Sequence, residues 1–279
     1  MANAVAGPTA LTATVVAVSA GQRMKETSAA LAALRARSAV RTILISLGDN
    51  PQAPITSEEG MISIEELVPR YLNNAVASLR LSSLPSIAWW RGGDIGALAD
   101  LADLVDRLVL DSEDPREAWS AAAGIAESTS ISDLRWTRLT RWRNLMAQFF
   151  DVPDVRGAIG SFTDLKITAS DPHTARLFAG WMKSRLPEGN TLVITVSAAA
   201  GEAAIESVSL NGSSHRLSLE LTGHGNCILT SIETGGQTIA SRIVPLGEQS
   251  PDALMAEELR VRARDLAFEQ ALQASTGLS

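Results

Sequence analysis

TATVVAVS (12–19), MKETSAALAALRAR (24–37) and RTILISLG (41–48) follow one another within forty residues, and their reading decides the fold. The first stretch is rich in β-branched residues, the habit of a buried strand. In the second, Met24, Ala29, Leu31, Ala32 and Leu34 recur at helical spacing, and Arg35 and Arg37 suit a helix carboxyl end. The third is again a short apolar run. Strand, helix and strand in so short a span form a βαβ unit, which commits the chain to a parallel sheet.

Working outward, residues 8–20 have the length of a secretory hydrophobic region, but no charge precedes them and the first basic side chain is Arg23. A retained strand and a cytoplasmic protein are therefore expected. Downstream, Ser63 with Glu66 three residues later reads as a capping box opening an amphipathic helix over 63–79, shortened or kinked at Pro69. SIAWW (86–90) reads as a strand, and 94–108 as a helix with leucines at 98, 101, 104 and 108. LVLD (108–111) is a fourth strand, and Asp114-Pro115 opens a helix to about Ala126.

The segment 151–163 interrupts this periodicity with acids, a proline and glycines, so two domains are expected, 1–157 and 158–279. In the second, a strand at 165–169 and a helix from Asp171-Pro172 to about Leu186 precede strands at 191–198, 205–210, 214–222, 226–234 and 237–244. Asn211-Gly212, Gly223-His224-Gly225 and Gly235-Gly236 supply the tight turns of antiparallel neighbours. A helix over 255–273, with a Glu258–Arg262 pair, closes the chain. The fold class expected is α/β with a mostly parallel sheet, followed by an α+β domain with a mainly antiparallel sheet.

Composition narrows function. With 279 residues, 46% of them hydrophobic and 20% charged, the chain can bury a core without staples. No stretch approaches the roughly 18 apolar residues of a membrane span. Its 31 acids against 24 Lys and Arg argue against binding nucleic acid through phosphate neutralisation. The lone Cys227 excludes an internal disulfide and a multi-thiolate zinc site.

Catalytic groups are sparse. His173, His215 and His224 lack the spacing of local metal ligands, and the latter two fall in hairpins, where an exposed polar residue is expected. Ser19 sits where a nucleophile elbow would place a serine, but the first glycine of that motif is missing and no histidine is suitably placed. Arg91, Gly92, Gly93 and Gly96 form a strand-to-helix turn able in principle to cradle a phosphate. Asp94 would itself cap that helix and repel an anion. No cofactor, metal or catalytic set is assigned.

The uncommon segment is DLRWTRLTRWRNLMAQFF (133–150), with two tryptophans, four arginines and no acid after Asp133. A helix capped by Thr140 places Trp142, Leu145, Met146, Phe149 and Phe150 on one apolar stripe, which reads as core. Arg135, Trp136, Thr137 and Arg138 fall before or at the helix start, where clustered positive charge opposes the dipole. Either they pair with the acids of 100–117, or Arg and Trp form a partner surface. Trp89 and Trp90 point to opposite sides of their strand, and one of them is a candidate to reach the surface.

LPSIAWWRGG (84–93) and DLRWTRLTRWRNLMAQFFD (133–151) resemble the two signature blocks of the glucose-6-phosphate dehydrogenase assembly protein (OpcA) family. The family pattern has a proline where Arg141 stands, and His-Pro before the arginine of its second strand, where this chain has Ser38-Ala39-Val40-Arg41. The resemblance implies a non-catalytic helper that binds glucose-6-phosphate dehydrogenase and promotes its active oligomer. The candidate partner-binding residues are Trp89, Trp90, Arg91, Arg135, Trp136, Thr137, Arg138, Arg141, Trp142 and Arg143. Thiol control through a cysteine pair, known among photosynthetic members, is not available to a chain with one cysteine.

Overall fold

The computed structural model describes residues 10–125, 129–187, 189–261 and 263–276. The chain forms two units. One runs through Leu134 and takes in Ser250–Asp265; the other comprises Arg135–Gln249 and the residues from Leu266 on. The division expected at 157/158 thus falls inside the second unit.

The first unit begins with β1 (Ala13–Ser19), α1 (Met24–Arg37) and β2 (Val40–Asn50), the βαβ element read from the sequence. It continues with β3 (Ile55–Glu58), β4 (Met61–Leu67), α2 (Leu72–Leu79), β5 (Ser86–Arg91), α3 (Gly96–Ala102), β6 (Arg107–Leu110), α4 (Arg116–Ile125) and β7 (Ser130–Asp133). The strands form one sheet in the order β3-β4-β2-β1-β5-β6-β7, parallel except for the β3–β4 pair. Strand order departs in both directions from β1, so the carboxyl ends of β1 and β5 mark the topological switch point, where doubly wound folds open a crevice. The core below is a continuous apolar layer that includes Val15, Leu31, Leu34, Leu44 and Trp89.

Three expectations for this unit are corrected. Residues 61–67 are a strand, not the start of a helix. Ile62 and Ile64 pair along β2, and Glu66 adopts φ 58°, with its N–H held by Ser46 Oγ at 2.9 Å. Gly48 permits this approach, because a Cβ there would lie 2.9 Å from the Glu66 Cα. Second, the helix expected over 94–108 stops at Ala102. Leu104 O accepts from Arg80 Nη1 at 2.7 Å, while Asp106 Oδ2 accepts from Ser86 N at 2.8 Å, so the turn anchors β5. Third, β3 and β7 carried no recognised signal. Ala126, the expected end of α4, lies outside the described residues.

The second unit contains α5 (Leu134–Arg138, its first residue at the unit boundary), α6 (Thr140–Phe149), α7 (Pro153–Gly157), β8 (Phe162–Ala169), α8 (Pro172–Arg185), β9 (Val193–Ala198), β10 (Ser207–Gly212), β11 (His215–Thr222), β12 (Cys227–Thr234) and β13 (Gln237–Pro245). Its six strands run β13-β12-β11-β10-β8-β9, antiparallel apart from the β8–β9 pair. The mainly antiparallel reading therefore holds as a mixed sheet. Asp171 caps α8 as expected, Oδ1 accepting from His173 N at 3.0 Å, with Pro172 in the first turn.

The last expected helix is two helices, α9 (Pro251–Glu258) in the first unit and α10 (Leu266–Thr276) in the second. The reason is a buried ion pair. Glu258 Oε2 accepts from Arg107 Nε at 2.8 Å and Glu258 Oε1 accepts from Ser132 Oγ at 3.0 Å, which ties α9 to β6 and β7. Arg262, its proposed partner, lies outside the described residues. In the second unit α10 packs on α8 at Gly180, where a Cβ would stand 2.3 Å from Ala271 O. Among the described residues no helix is long and apolar enough to cross a membrane.

Candidate functional site

At the switch point of the first unit, the residues of the first block turn inward. Trp89 and Trp90 are 0% and 1% exposed, because parallel strands on both sides and helices on both faces leave neither indole a surface. Arg91 is buried too. Its Nε donates to Asp111 Oδ2 at 2.8 Å and its Nη1 to Thr27 Oγ1 at 2.9 Å; Nη2 pairs with Glu26, and Cζ lies 4.7 Å from the Trp89 ring centroid. Arg23 reaches in from the β1–α1 connection and donates to Asp111 O at 2.7 Å and Arg91 O at 3.3 Å. The Arg91 hydrogen bond, opposed by partial burial and aided by the charges of Arg91 and Arg23, holds the Glu26 carboxyl below its ordinary value of 4.5.

The crevice is thus largely filled by two guanidinium groups and their acids, leaving a recess of about 200 Å³. The phosphate-cradle reading of Arg91, Gly92, Gly93 and Gly96 is corrected accordingly. Arg91 points into the protein, and Asp94 Oδ1 takes the Gly96 N–H at 2.9 Å. Gly92 and Gly93 adopt φ 124° and 142°, conformations that side chains rarely tolerate, so they are required by the turn itself. Ser19 is buried and bonded to Thr27 Oγ1 at 2.9 Å, with no part in an elbow.

The second block divides sharply. Arg135, Trp136, Thr137 and Trp142 are buried, Arg138 and Arg143 are half-buried, and Arg141 is exposed. The expectation of an indole-rich contact surface is therefore corrected: the tryptophans are internal, and of the candidate residues in this block only arginines reach solvent. The cause is size and position, since α5 and α6 place their largest apolar side chains on the inward arc. Trp136 packs on Phe268 with centroids 5.7 Å apart, and Arg143 Cζ lies 3.4 Å from the Trp136 ring centroid while Nη2 donates to Trp136 O at 3.3 Å. Asp133, first in the block, accepts from Trp119 Nε1 at 2.8 Å in the first unit.

Arg135 pairs with Asp171, Nε to Oδ2 at 2.9 Å. Thr174 Oγ1 also donates to that carboxylate, at 2.7 Å. Burial raises the Asp171 pKa, but the Arg135 charge and the bonds from Thr174, His173 and Arg135 outweigh it and bring the carboxyl below its ordinary 3.8. Next to this junction opens a cleft of about 500 Å³, lined by Arg138, Leu139, Trp142, Asp171, Glu202, Ile205 and Leu246 among others. The Arg138 and Arg141 side chains have no ion-pair or hydrogen-bond partner among the described residues. Of these two, Arg141 is exposed and Arg138 half-buried.

Among the described residues no group of three His, Cys, Asp or Glu side chains is arranged to hold a metal. His224 is exposed at φ 59°, as a hairpin tip allows, whereas His215 is buried and shares a 2.8 Å hydrogen bond between Nδ1 and Ser214 Oγ. Sequence reasoning missed half-buried Asp111 and Asp171 and buried Glu258 as the partners of Arg91, Arg135 and Arg107. An arginine inside an apolar strand, as at 91 and 107, is the signal that a distant acid is required.

A parallel sheet with a central switch point, followed by a mixed sheet, is an arrangement found in solved structures of unlike sequence. The chain superposes on the aldose-aldose oxidoreductase of Caulobacter crescentus with a TM-score of 0.55 and 10% identity, over 96% of this chain and 95% of that one, a likeness of fold alone. The family is narrower. Residues 129–272, more than half of the chain, match the family formed by the C-terminal domain of the glucose-6-phosphate dehydrogenase subunit OpcA, and the chain belongs to it. It is similar to the OxPP cycle protein OpcA of a Synechocystis species, 27% identical over 124 residues, which are 41% of this chain and 26% of that protein. With the OpcA of Synechococcus elongatus it shares 31% identity over 120 residues, 40% of this chain and 27% of the relative. The chain thus spans about a quarter of the length of these curated relatives.

Proposed function

We propose that this chain is a non-catalytic cytoplasmic partner of glucose-6-phosphate dehydrogenase in the oxidative pentose phosphate pathway, one that binds the enzyme and favours its active oligomer. The family match over 129–272 carries the reading, because it contains the whole Arg/Trp block. The buried Trp136–Arg143 stack and the Arg135–Asp171 pair brace that block, and Arg138 and Arg141 are its docking groups. The filled crevice at β1 and β5 supports the non-catalytic part: the place where this architecture admits a dinucleotide holds Arg23 and Arg91, each already paired to an acid.

Activation of this kind is differential affinity, and couplings of about 1–3 kcal/mol correspond to roughly 5- to 150-fold. The test is titration of the chain into the cognate dehydrogenase, with activity and oligomer size followed together. A saturable rise in both is expected, and Arg138→Glu with Arg141→Glu should weaken it at least about tenfold by removing two accessible cations. Absence of binding by the wild-type chain would overturn the proposal.

A further inference from the structure

The second block holds four arginines, and three of them are accounted for by their surroundings. Arg135 answers Asp171, Arg143 lies on the Trp136 ring, and Arg141 is exposed and hydrated. Arg138 differs. It is half-buried at the carboxyl end of α5, yet its side chain makes no ion pair or hydrogen bond among the described residues. A guanidinium drawn out of water calls for a carboxylate, as Arg91 and Arg107 find in Asp111 and Glu258.

Arg138 lines the cleft of about 500 Å³ in the second unit, within the roughly 300–1,000 Å³ of cavities that bury a ligand. Two acids line it too, and neither serves Arg138. Asp171 is taken up by Arg135 Nε, Thr174 Oγ1 and His173 N. Glu202 is exposed and forms no ion pair among the described residues. Leu139, Ile205 and Leu246 make an apolar side, and the walls are held in place. Ser170 Oγ donates to Ala203 O at 2.9 Å, Glu206 N to Thr168 O at 2.8 Å and Leu246 N to Asn226 O at 2.9 Å, so binding has little left to order.

We infer that this cleft receives a projecting segment of the dehydrogenase, with an Asp or Glu carboxylate of that segment on Arg138 and a neighbouring apolar side chain against Leu139, Ile205 and Leu246. The inference rests on the function proposed above and names the part of the partner that the block recognises. Charge complementarity selects the occupant. One guanidinium matches one carboxylate through two parallel hydrogen bonds, whereas a doubly charged phosphate would meet Glu202 and Asp171 with a single free cation to offset them. The cleft also lies wholly within residues 129–272, the segment shared with the family, where a site for a common partner is expected. Arg141 does not line the cleft and acts as a charge on its rim.

The test is the kinetics of the full chain binding to immobilised cognate dehydrogenase. Arg138→Gln should raise the dissociation rate at least about tenfold and change association less than about threefold, because a desolvated pair governs residence; Arg141→Gln should act mainly on association at low salt. Ala203→Trp, which fills the cleft from a half-buried position and leaves Arg138 in place, should weaken binding at least about tenfold. Since Arg138 holds no other group, Arg138→Gln should keep the wild-type urea midpoint; if Ala203→Trp fails to fold, Arg138→Gln decides alone. A benzophenone side chain introduced at Glu202 should capture a dehydrogenase peptide containing an Asp or Glu, and changing that acid to Ala should cost nothing further in the Arg138→Gln chain. A wild-type chain that does not bind removes the proposed function and this inference together. Undiminished binding by either folded variant, or a captured acid whose effect is independent of Arg138, would overturn the inference alone.

Discussion

Asp171→Asn separates the two tasks of the carboxylate at the centre of the second block. Asparagine caps a helix about as well as aspartate, so the bond to His173 N survives, whereas the charge facing Arg135 is lost. A charge-assisted hydrogen bond of this partly buried kind contributes about 1.5–3 kcal/mol. Asp171→Ala should cost about 1 kcal/mol more by removing the cap as well. With a urea slope of about 2–3 kcal/mol/M, the Asn variant should unfold at a midpoint lower by roughly 0.5–1.5 M, followed through the tryptophan fluorescence of the second unit. The pH dependence has a definite sign. Because the folded carboxyl lies below its ordinary 3.8, its contribution is fully present above that value and is lost as pH falls through the folded pKa. The gap between wild type and Asp171→Asn should be constant near neutrality and close below about pH 4. A gap that is absent near neutrality, or that widens in acid, would refute the assignment of the Arg135–Asp171 pair as a brace.

In the first unit, Glu258→Gln leaves Arg107 charged and nearly sealed, and should destabilise that unit by about 3–5 kcal/mol in a denaturant titration. Replacing both partners with apolar residues should restore much of that loss. Gly180→Ala must move α10 away from α8, because its Cβ would meet Ala271 O at 2.3 Å; a loss of about 1–3 kcal/mol is expected by thermal or urea unfolding. Ser19→Ala removes only a hydroxyl bonded to Thr27 and Ala20 O, so the proposed activation of the dehydrogenase should be unchanged, whereas a nucleophilic role would abolish it.

Local signals in the sequence carried much of the fold. The βαβ opening at 12–48, the Asp171-Pro172 helix start and the glycine turns at 223–225 and 235–236 each rest on short-range chemistry, and each recurs in the structure, whereas Asn211-Gly212 ends strand β10 and the turn expected there falls on Ser213-Ser214. Failures fell where a distant contact overrode local preference. Ser63 and Glu66 spell a capping box, yet the neighbouring β2 draws 61–67 into the sheet. Leu98, Leu101, Leu104 and Leu108 keep helical spacing across what is a helix, a turn and a strand, since leucine serves the core of either element. The helix expected over 255–273 breaks because Glu258 answers Arg107, 151 residues earlier in the chain.

The site was legible in composition but not in exposure. Clustered Arg and Trp marked 133–150 as unusual, but whether an indole faces a partner or a core depends on which arc of α5 and α6 is covered. That arc is set by Phe268 and Asp171, both remote in sequence. Arg138 and Arg141, whose side chains have no partner among the described residues, are the proposed docking groups.

The most direct measurement is the affinity of the wild-type chain and of the Arg138→Glu/Arg141→Glu variant for the cognate dehydrogenase, read by calorimetry beside enzyme activity. Saturable binding that raises activity, weakened at least about tenfold in a variant that folds like wild type, is the predicted result. A chain that neither binds nor activates that enzyme, or a variant that does both undiminished, would contradict the account.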